Sequence, residues 1–154
     1  MIRRLIVLGA TGDLTSRYLL PALARLHEVD RLPDALSIVG SAWDAWSTDG
    51  FREYVHERLD RHAAEIAAAS RRAVVSRLEY RRADATDPAE LADALGGAQD
   101  PLVVYLALPP SVYRATVRAL AAGGLPAGSR IVLEKPFAPA RPLRAQRSPR
   151  GSSA

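Results

Sequence analysis

Arg4-Leu5-Ile6-Val7-Leu8-Gly9-Ala10-Thr11-Gly12-Asp13-Leu14 joins a strand to a helix through a turn bounded by two glycines. Arg4 to Leu8 is a short β-branched and leucine run, and Gly9 ends it. Leu14, Tyr18, Leu19, Ala22, Leu23 and Leu26 then recur at helical spacing, with Pro21 expected to kink that helix or shape its packing. A strand that passes through such a turn into a helix opens a βαβ unit, and the turn is where a phosphate belongs. Gly9 permits the tight turn, Gly12 lets a pyrophosphate approach the backbone, and the free amides at the helix start carry partial positive charge. The spacing is not the usual G-x-G-x-x-G, and glycines at strand-to-helix turns also serve backbone geometry alone. The position of this turn is what points to an anion.

The remaining chain repeats the alternation. Leu36 to Val39 reads as a second strand closed by Gly40, and Phe51, Val55, Leu59, His62 and Ile66 mark a helical stripe that continues toward Val75 with a break near Ser70. Leu78 to Arg82 alternates as a third strand. Asp87-Pro88-Ala89-Glu90 carries an N-cap, a proline at the first helical position and an acid three residues on, opening a helix to Leu95 that Gly96 and Gly97 stop. Leu102 to Leu108 is the most hydrophobic run, as a central parallel strand requires, and Pro109-Pro110 ends it. Ser111 is placed to cap a helix whose apolar positions Val112, Val117, Leu120 and Ala121 end at Gly123-Gly124. Ile131 to Glu134 is a fifth strand. The pattern predicts an α/β domain over residues 1–137: a Rossmann-like, doubly wound parallel sheet with helices on both faces. Residues 138–154 are rich in Arg, Pro, Ala and Ser, with one leucine as their large apolar residue, and are expected to be a disordered tail. GC-rich DNA read out of frame yields the same residue menu, so the tail is expected to be either frameshifted or a native flexible segment; sequencing the coding DNA separates the two.

Composition narrows the function classes. A 154-residue chain with 48% hydrophobic residues can close one core without staples. The absence of cysteine excludes a thiolate metal site, a cysteine nucleophile and a disulfide framework. The basic start resembles the beginning of a signal peptide, but its apolar run stops at Gly9, and no stretch approaches the roughly 18 to 20 apolar residues of a membrane helix. A soluble, cytoplasmic protein with no membrane partner is expected. The net charge of +4 matches the four arginines of the tail, where no acid stands, and leaves residues 1–137 neutral. That is not the clustered basic face of a nucleic-acid binder.

The 21 basic residues comprise 20 arginines and one lysine, Lys135. A single ammonium in an arginine background is either chance or chemically required, since the two cations are not interchangeable at close quarters. Lys135 stands in Glu134-Lys135-Pro136-Phe137, at the carboxyl edge of the fifth strand, where ligands of open α/β sheets bind. It can donate to an anionic or hydroxylated ligand there, or merely pair with Glu134. After the second strand, Asp44 leans toward NAD by its fit to ribose hydroxyls, Ser41 can bond either coenzyme, and Trp43 offers an adenine-stacking face. His27, His56 and His62 fall in helices with no triad partner, and Trp43 with Trp46 reads as loop packing. No metal site is expected.

Three motifs together carry a family resemblance. Gly9-Ala10-Thr11-Gly12-Asp13-Leu14-Thr15-Ser16 followed by Tyr18-Leu19-Leu20-Pro21-Ala22-Leu23, then Tyr105-Leu106-Ala107-Leu108-Pro109-Pro110-Ser111-Val112-Tyr113, then Ile131 to Phe137, resemble the coenzyme loop, central strand and Glu-Lys-Pro-Phe signature of glucose-6-phosphate dehydrogenases. The resemblance implies an oxidoreductase of glucose metabolism and the pentose phosphate pathway. In it, hydride passes from C1 of glucose 6-phosphate to the nicotinamide of NADP, giving 6-phosphogluconolactone. It further implies that Gly9, Ala10, Thr11, Gly12, Asp13, Leu14, Thr15 and Ser16 wrap the coenzyme, that Tyr113 lies near it, and that Lys135 touches both coenzyme and sugar phosphate. Pro136 would mark the hinge to a second domain. Trp43 stands where the family has the arginine for the adenosine phosphate, which keeps NAD open beside NADP, and Ala138 replaces the glycine after Phe137, where the likeness is expected to stop. The family's histidine base belongs to the second domain, which this chain is expected to lack, so no catalytic residue is assigned within it.

Two other dehydrogenase groups fit less well. Inositol dehydrogenase-like proteins share Glu-Lys-Pro but carry G-x-G-x-x-G, and extended short-chain dehydrogenases share Gly-Ala-Thr-Gly but need a glycine where Thr15 stands and a Tyr-x-x-x-Lys pair that is absent. The contrasting expectation is a nucleotide-binding module without turnover, since hydride transfer needs substrate and base aligned on the coenzyme. The sequence is silent on oligomeric state.

Overall fold

A computed structural model describes residues 2–134. Lys135 and the expected tail over 138–154 lie outside the described residues. Strands β1 (Arg4–Leu8), β2 (Ser37–Ala42), β3 (Leu78–Arg82), β4 (Val103–Leu106) and β5 (Arg130–Leu133) form one sheet in the order β3-β2-β1-β4-β5. Every neighbouring pair is parallel. The helices are α1 (Leu20–Glu28), entered through a π-helical turn Thr15–Leu19, then α2 (Thr48–His62), α3 (Ala68–Ser76), α4 (Pro88–Leu95) and α5 (Tyr113–Gly123). This is the expected Rossmann-like, doubly wound α/β fold. None of these helices is long and apolar enough to cross a membrane.

The central strand shows how the sequence builds two cores at once. Successive strand side chains point to opposite faces, so Leu5 and Val7 join one cluster while Ile6 and Leu8 join the other. The first cluster takes Leu23 of α1, Phe51, Val55 and Leu59 of α2 and Val74 of α3. The second takes Leu91 and Leu95 of α4 and Leu120 of α5. Covered on both sides, β1 reads as an unbroken apolar run, as strands of parallel sheets do.

Several expected boundaries move, each for a visible reason. Gly40 does not close the second strand but lies inside β2, because the Phe51 ring packs on it: a Cβ there would sit 2.6 Å from Cε1 and Cζ of Phe51 and 2.9 Å from the Cβ of Ala10. The long helical stripe breaks at 63–67, not at Ser70, which is buried within α3 with its Oγ sharing a 2.9 Å hydrogen bond with Nδ1 of His27. Pro21, expected to kink the helix or shape its packing, sits where the helix is distorted by a π-helical turn. It is the second residue of α1, directly after that turn, and lacks the N–H that would bond back into it; there the helix is widened, with the Leu20 N–H closing on the Thr15 carbonyl. Ser111 caps nothing: Pro110–Val112 forms a 3-10 turn, and α5 starts at Tyr113 without a side-chain cap. That offset turns Tyr113, Thr116, Ala119 and Leu120 inward, whereas Ala121 is exposed.

The N-terminus of α4 forms as expected. The Asp87 carboxylate accepts from the Ala89 and Glu90 amides at 2.9 and 3.1 Å, with Pro88 in the first turn. Glu90 turns back to the Asp84 amide, and Gly96 ends the helix at φ 65°. Asp87→Ala will therefore lower stability by about 1 kcal/mol, read as a shift of the urea midpoint at unchanged slope.

Candidate functional site

The strand order reverses at β1, whose carboxyl end faces β2 on one side and β4 on the other. Open α/β sheets bind ligands at that crevice. The turn that fills it is tightly held. Gly9 has φ 85°, and a Cβ there would fall 2.2 Å from the Ala107 carbonyl oxygen, so its backbone lies directly on the β4 exit. The Gly9 and Ala10 amides donate to the Ser41 carbonyl at 2.9 and 3.1 Å. Thr15 Oγ1 donates to the Gly9 carbonyl and Ser16 Oγ to the Asp13 carbonyl, each at 3.1 Å. Both hydroxyl residues are buried, so they shape the turn from within and offer no hydroxyl to a ligand.

The outer surface of the turn is different. Hydrogen bonds take up the Gly12 and Ser16 amides, while among the described residues none is donated by the amides of Thr11, Asp13 or Leu14. A Cβ on Gly12 would meet only the Gly9 oxygen, at 3.1 Å, and otherwise open space. Free amides at a helix start beside a vacant approach are what an anion needs. The Asp13 carboxylate pairs with Arg17 at 2.9 Å, and Thr11 Oγ1 donates to Asp44 Oδ2 at 2.6 Å.

Two hollows flank the turn. One, of about 250 Å³, is lined mainly by apolar groups including Leu8, Ala42, Trp43, Ala83 and Val112, with Ser41 among them. The other, of about 390 Å³, is lined by Gly12, Asp13, Leu14, Tyr113 and Glu134 among others. Leu108 and Pro109 belong to both, so the hollows meet beside Gly9. A slightly larger one, of about 430 Å³, lies at the amino edge of the sheet against Arg3, Arg4 and Ser37, the wrong end for ligands in this architecture.

Sequence reasoning missed a cluster beyond β2. Tyr80 of β3 donates through its hydroxyl to the Ala42 carbonyl at 3.2 Å and to the Asp44 carbonyl. Burial, with the Asp44 carboxylate beside it, pushes the Tyr80 hydroxyl up to about 12, so it stays a neutral donor. Tyr54 of α2 donates to the Thr11 carbonyl at 3.1 Å, tying that helix to the turn. Trp46 stacks edge-on to Tyr54 at 4.9 Å and is packing, as expected, whereas Trp43 is 65% exposed. On the other flank, the Tyr105 hydroxyl donates to Glu134 Oε1 at 3.3 Å, and burial followed by that carboxylate raises its pKa. Lys135, expected either to meet a ligand or to pair with Glu134, lies outside the described residues. Of the three histidines, His27 joins α1 to α3, His56 lies 3.4 Å from Asp60, and the His62 Nε2 is buried without a partner among the described residues. No group of three or more His, Asp or Glu among the described residues is arranged to hold a metal.

A family model described as "Glucose-6-phosphate dehydrogenase, NAD binding domain" matches residues 6–144, running past Ala138, where the likeness was expected to stop. The glucose-6-phosphate 1-dehydrogenase of Zymomonas mobilis is 36% identical over 143 residues, covering 88% of this chain and 29% of that protein. Its counterpart from Mycolicibacterium smegmatis is also 36% identical over 143 residues, with 86% and 29% covered. Among solved structures, glucose-6-phosphate 1-dehydrogenase from Mycobacterium avium superposes with a TM-score of 0.80 at 28% identity, over 90% of this chain and 31% of that one. The chain thus spans about 29% of the length of these curated relatives.

Proposed function

Because this chain belongs to the family of glucose-6-phosphate dehydrogenase NAD-binding domains, we propose that it holds the nicotinamide coenzyme for oxidation of glucose 6-phosphate. The observation that carries this reading is the Gly9 turn, wedged on Ala107 with free outer amides and a hollow on either side. The pyrophosphate would lie on the amides of Thr11, Asp13 and Leu14, where a helix start favours negative charge. Gly9 and Gly12 keep that approach clear, and Ala10, Thr15 and Ser16 hold its shape. The apolar hollow beside Trp43 suits the adenosine half, and the hollow beside Tyr113 and Glu134 suits the nicotinamide half. When bound, the coenzyme supplies the hydride acceptor for C1 of the sugar phosphate. Lys135 would meet both coenzyme and substrate.

NADP is the proposed coenzyme, with NAD the alternative because Trp43 replaces the family's arginine. The 154-residue chain should bind coenzyme weakly, and, because no residue of it is given the role of catalytic base, turn over negligibly. Calorimetric titration with NADP and NAD, beside an assay for NADPH formation from glucose 6-phosphate, tests this. Saturable binding without turnover is the expected result. Failure of both coenzymes to bind overturns the assignment of the turn, and robust NADPH formation overturns the absence of a base.

A further inference from the structure

Arg82 is the last residue of β3 and pairs in register with Ala42, the last of β2, so it stands at the carboxyl edge of the sheet. Ala83, Asp84, Ala85 and Thr86, which follow it directly, line the apolar hollow with Trp43. Its side chain is fixed twice: Nε donates to the Trp43 carbonyl at 2.8 Å, and the guanidinium carbon lies 5.1 Å from the Trp43 ring centroid. Among the described residues, no hydrogen bond or ion pair takes its two terminal nitrogens. The neighbouring Arg81 is spent on Glu79 and the Asp93 carbonyl, and Arg17, Arg25 and Arg71 each pair with an acid. An arginine held by its stem end, with the outer edge of its fork open, is pre-organised for an oxyanion.

We propose that Arg82, in place of a β2-loop arginine, receives the 2′-phosphate of a phosphorylated adenosine coenzyme, with Trp43 as the platform that aims it. This rests on the dinucleotide reading of the Gly9 turn. Two further features of the hollow bear on it. Ser41 is 1% exposed and is among the residues that line the hollow, and its Oγ has no hydrogen-bond partner among the described residues. The two acids at the rim are both engaged: Asp44 Oδ2 accepts from Thr11 Oγ1 at 2.6 Å, and Asp84 Oδ1 accepts from the amide and hydroxyl of Thr86 at 2.9 and 2.8 Å. Each keeps its second carboxylate oxygen, so the preference between 2′-phosphorylated and plain adenosine fragments tells whether Arg82 or these acids govern the rim.

The adenosine fragments 2′,5′-ADP and 5′-AMP isolate this half of the site. Calorimetry on the 154-residue chain should find 2′,5′-ADP binding at least about ten-fold more tightly than AMP, the worth of one good charge-assisted contact. Arg82→Ala should bring that ratio close to one with AMP affinity unchanged and an unaltered thermal melt, and Arg82→Lys should restore it only in part. Three results would overturn the proposal. An equal fall for both fragments in Arg82→Ala means that Arg82 only steadies Trp43. A preference of the unmodified chain for AMP means that the charges of Asp44 and Asp84 govern the rim while the adenosine hollow stands. Binding of neither fragment means that the dinucleotide reading itself fails.

Discussion

Gly9→Ala will lose most of the stability of the fold, whereas Gly12→Ala will keep it and lose the coenzyme. At Gly9 the added methyl meets a backbone carbonyl at 2.2 Å, and the residue must also hold φ 85°, which L side chains rarely adopt. Overpacking against backbone and a left-handed conformation each cost on the order of 1–3 kcal/mol, so a total of about 3–5 kcal/mol is expected, a large part of the stability of a small domain. At Gly12 the nearest neighbour of the methyl is one carbonyl at 3.1 Å, and the backbone needs no positive φ. Its stability cost should stay within about 1 kcal/mol, while the methyl occupies the approach to the free amides. Urea unfolding and NADP titration of the two variants separate the effects. Equal stability losses at both positions would show that the Ala107 contact is not what fixes the turn.

The second large effect is expected at Phe51, whose ring is 1% exposed and lies on Gly40 and beside Tyr80 at a centroid distance of 5.1 Å. Phe51→Ala should cost about 3–5 kcal/mol, because the ring is lost and the β2 surface cannot collapse into its place. Gly40→Ala alone pushes a methyl into that ring and should also destabilise. In the double variant the methyl enters the space the ring vacated, so the combined loss should fall at least about 1 kcal/mol short of the sum. Additive losses in denaturant unfolding would mean that the ring and Gly40 do not share one space.

These two positions also mark where sequence reading succeeds and where it stops. Leu5 to Leu8 could be read as a doubly covered strand because a continuous apolar run has few other uses, and the Gly9 turn could be read because its chemistry is local. Gly40 could not, since a glycine after Val39 looks like a strand end until Phe51 is seen resting on it. The cluster of Tyr54, Tyr80 and Arg82 was invisible for a related reason. Its members come from α2 and from β3, and what unites them is the loop after β2 and the Gly9 turn that they grip. Ser16 shows the converse: it belongs to a motif that reads as a ligand loop, yet its buried hydroxyl bonds the loop itself. A motif marks a place in the fold, and only packing tells which side chains there remain for a ligand.

The position of β1 has a consequence for the order in which the chain can acquire its binding site. β1 is the first strand in sequence but the middle one in space, so one of its edges stays unpaired until β4 arrives from much later in the chain. The closing of such distant pairings is slow because loop entropy must be overcome before any contact rewards it. Gly9 rests on Ala107, just past β4, and cannot settle before that pairing is made. A chain released or arrested before β4 would hold the whole glycine motif and still have no seat for a phosphate, so nucleotide binding reports completed folding and not the presence of the motif.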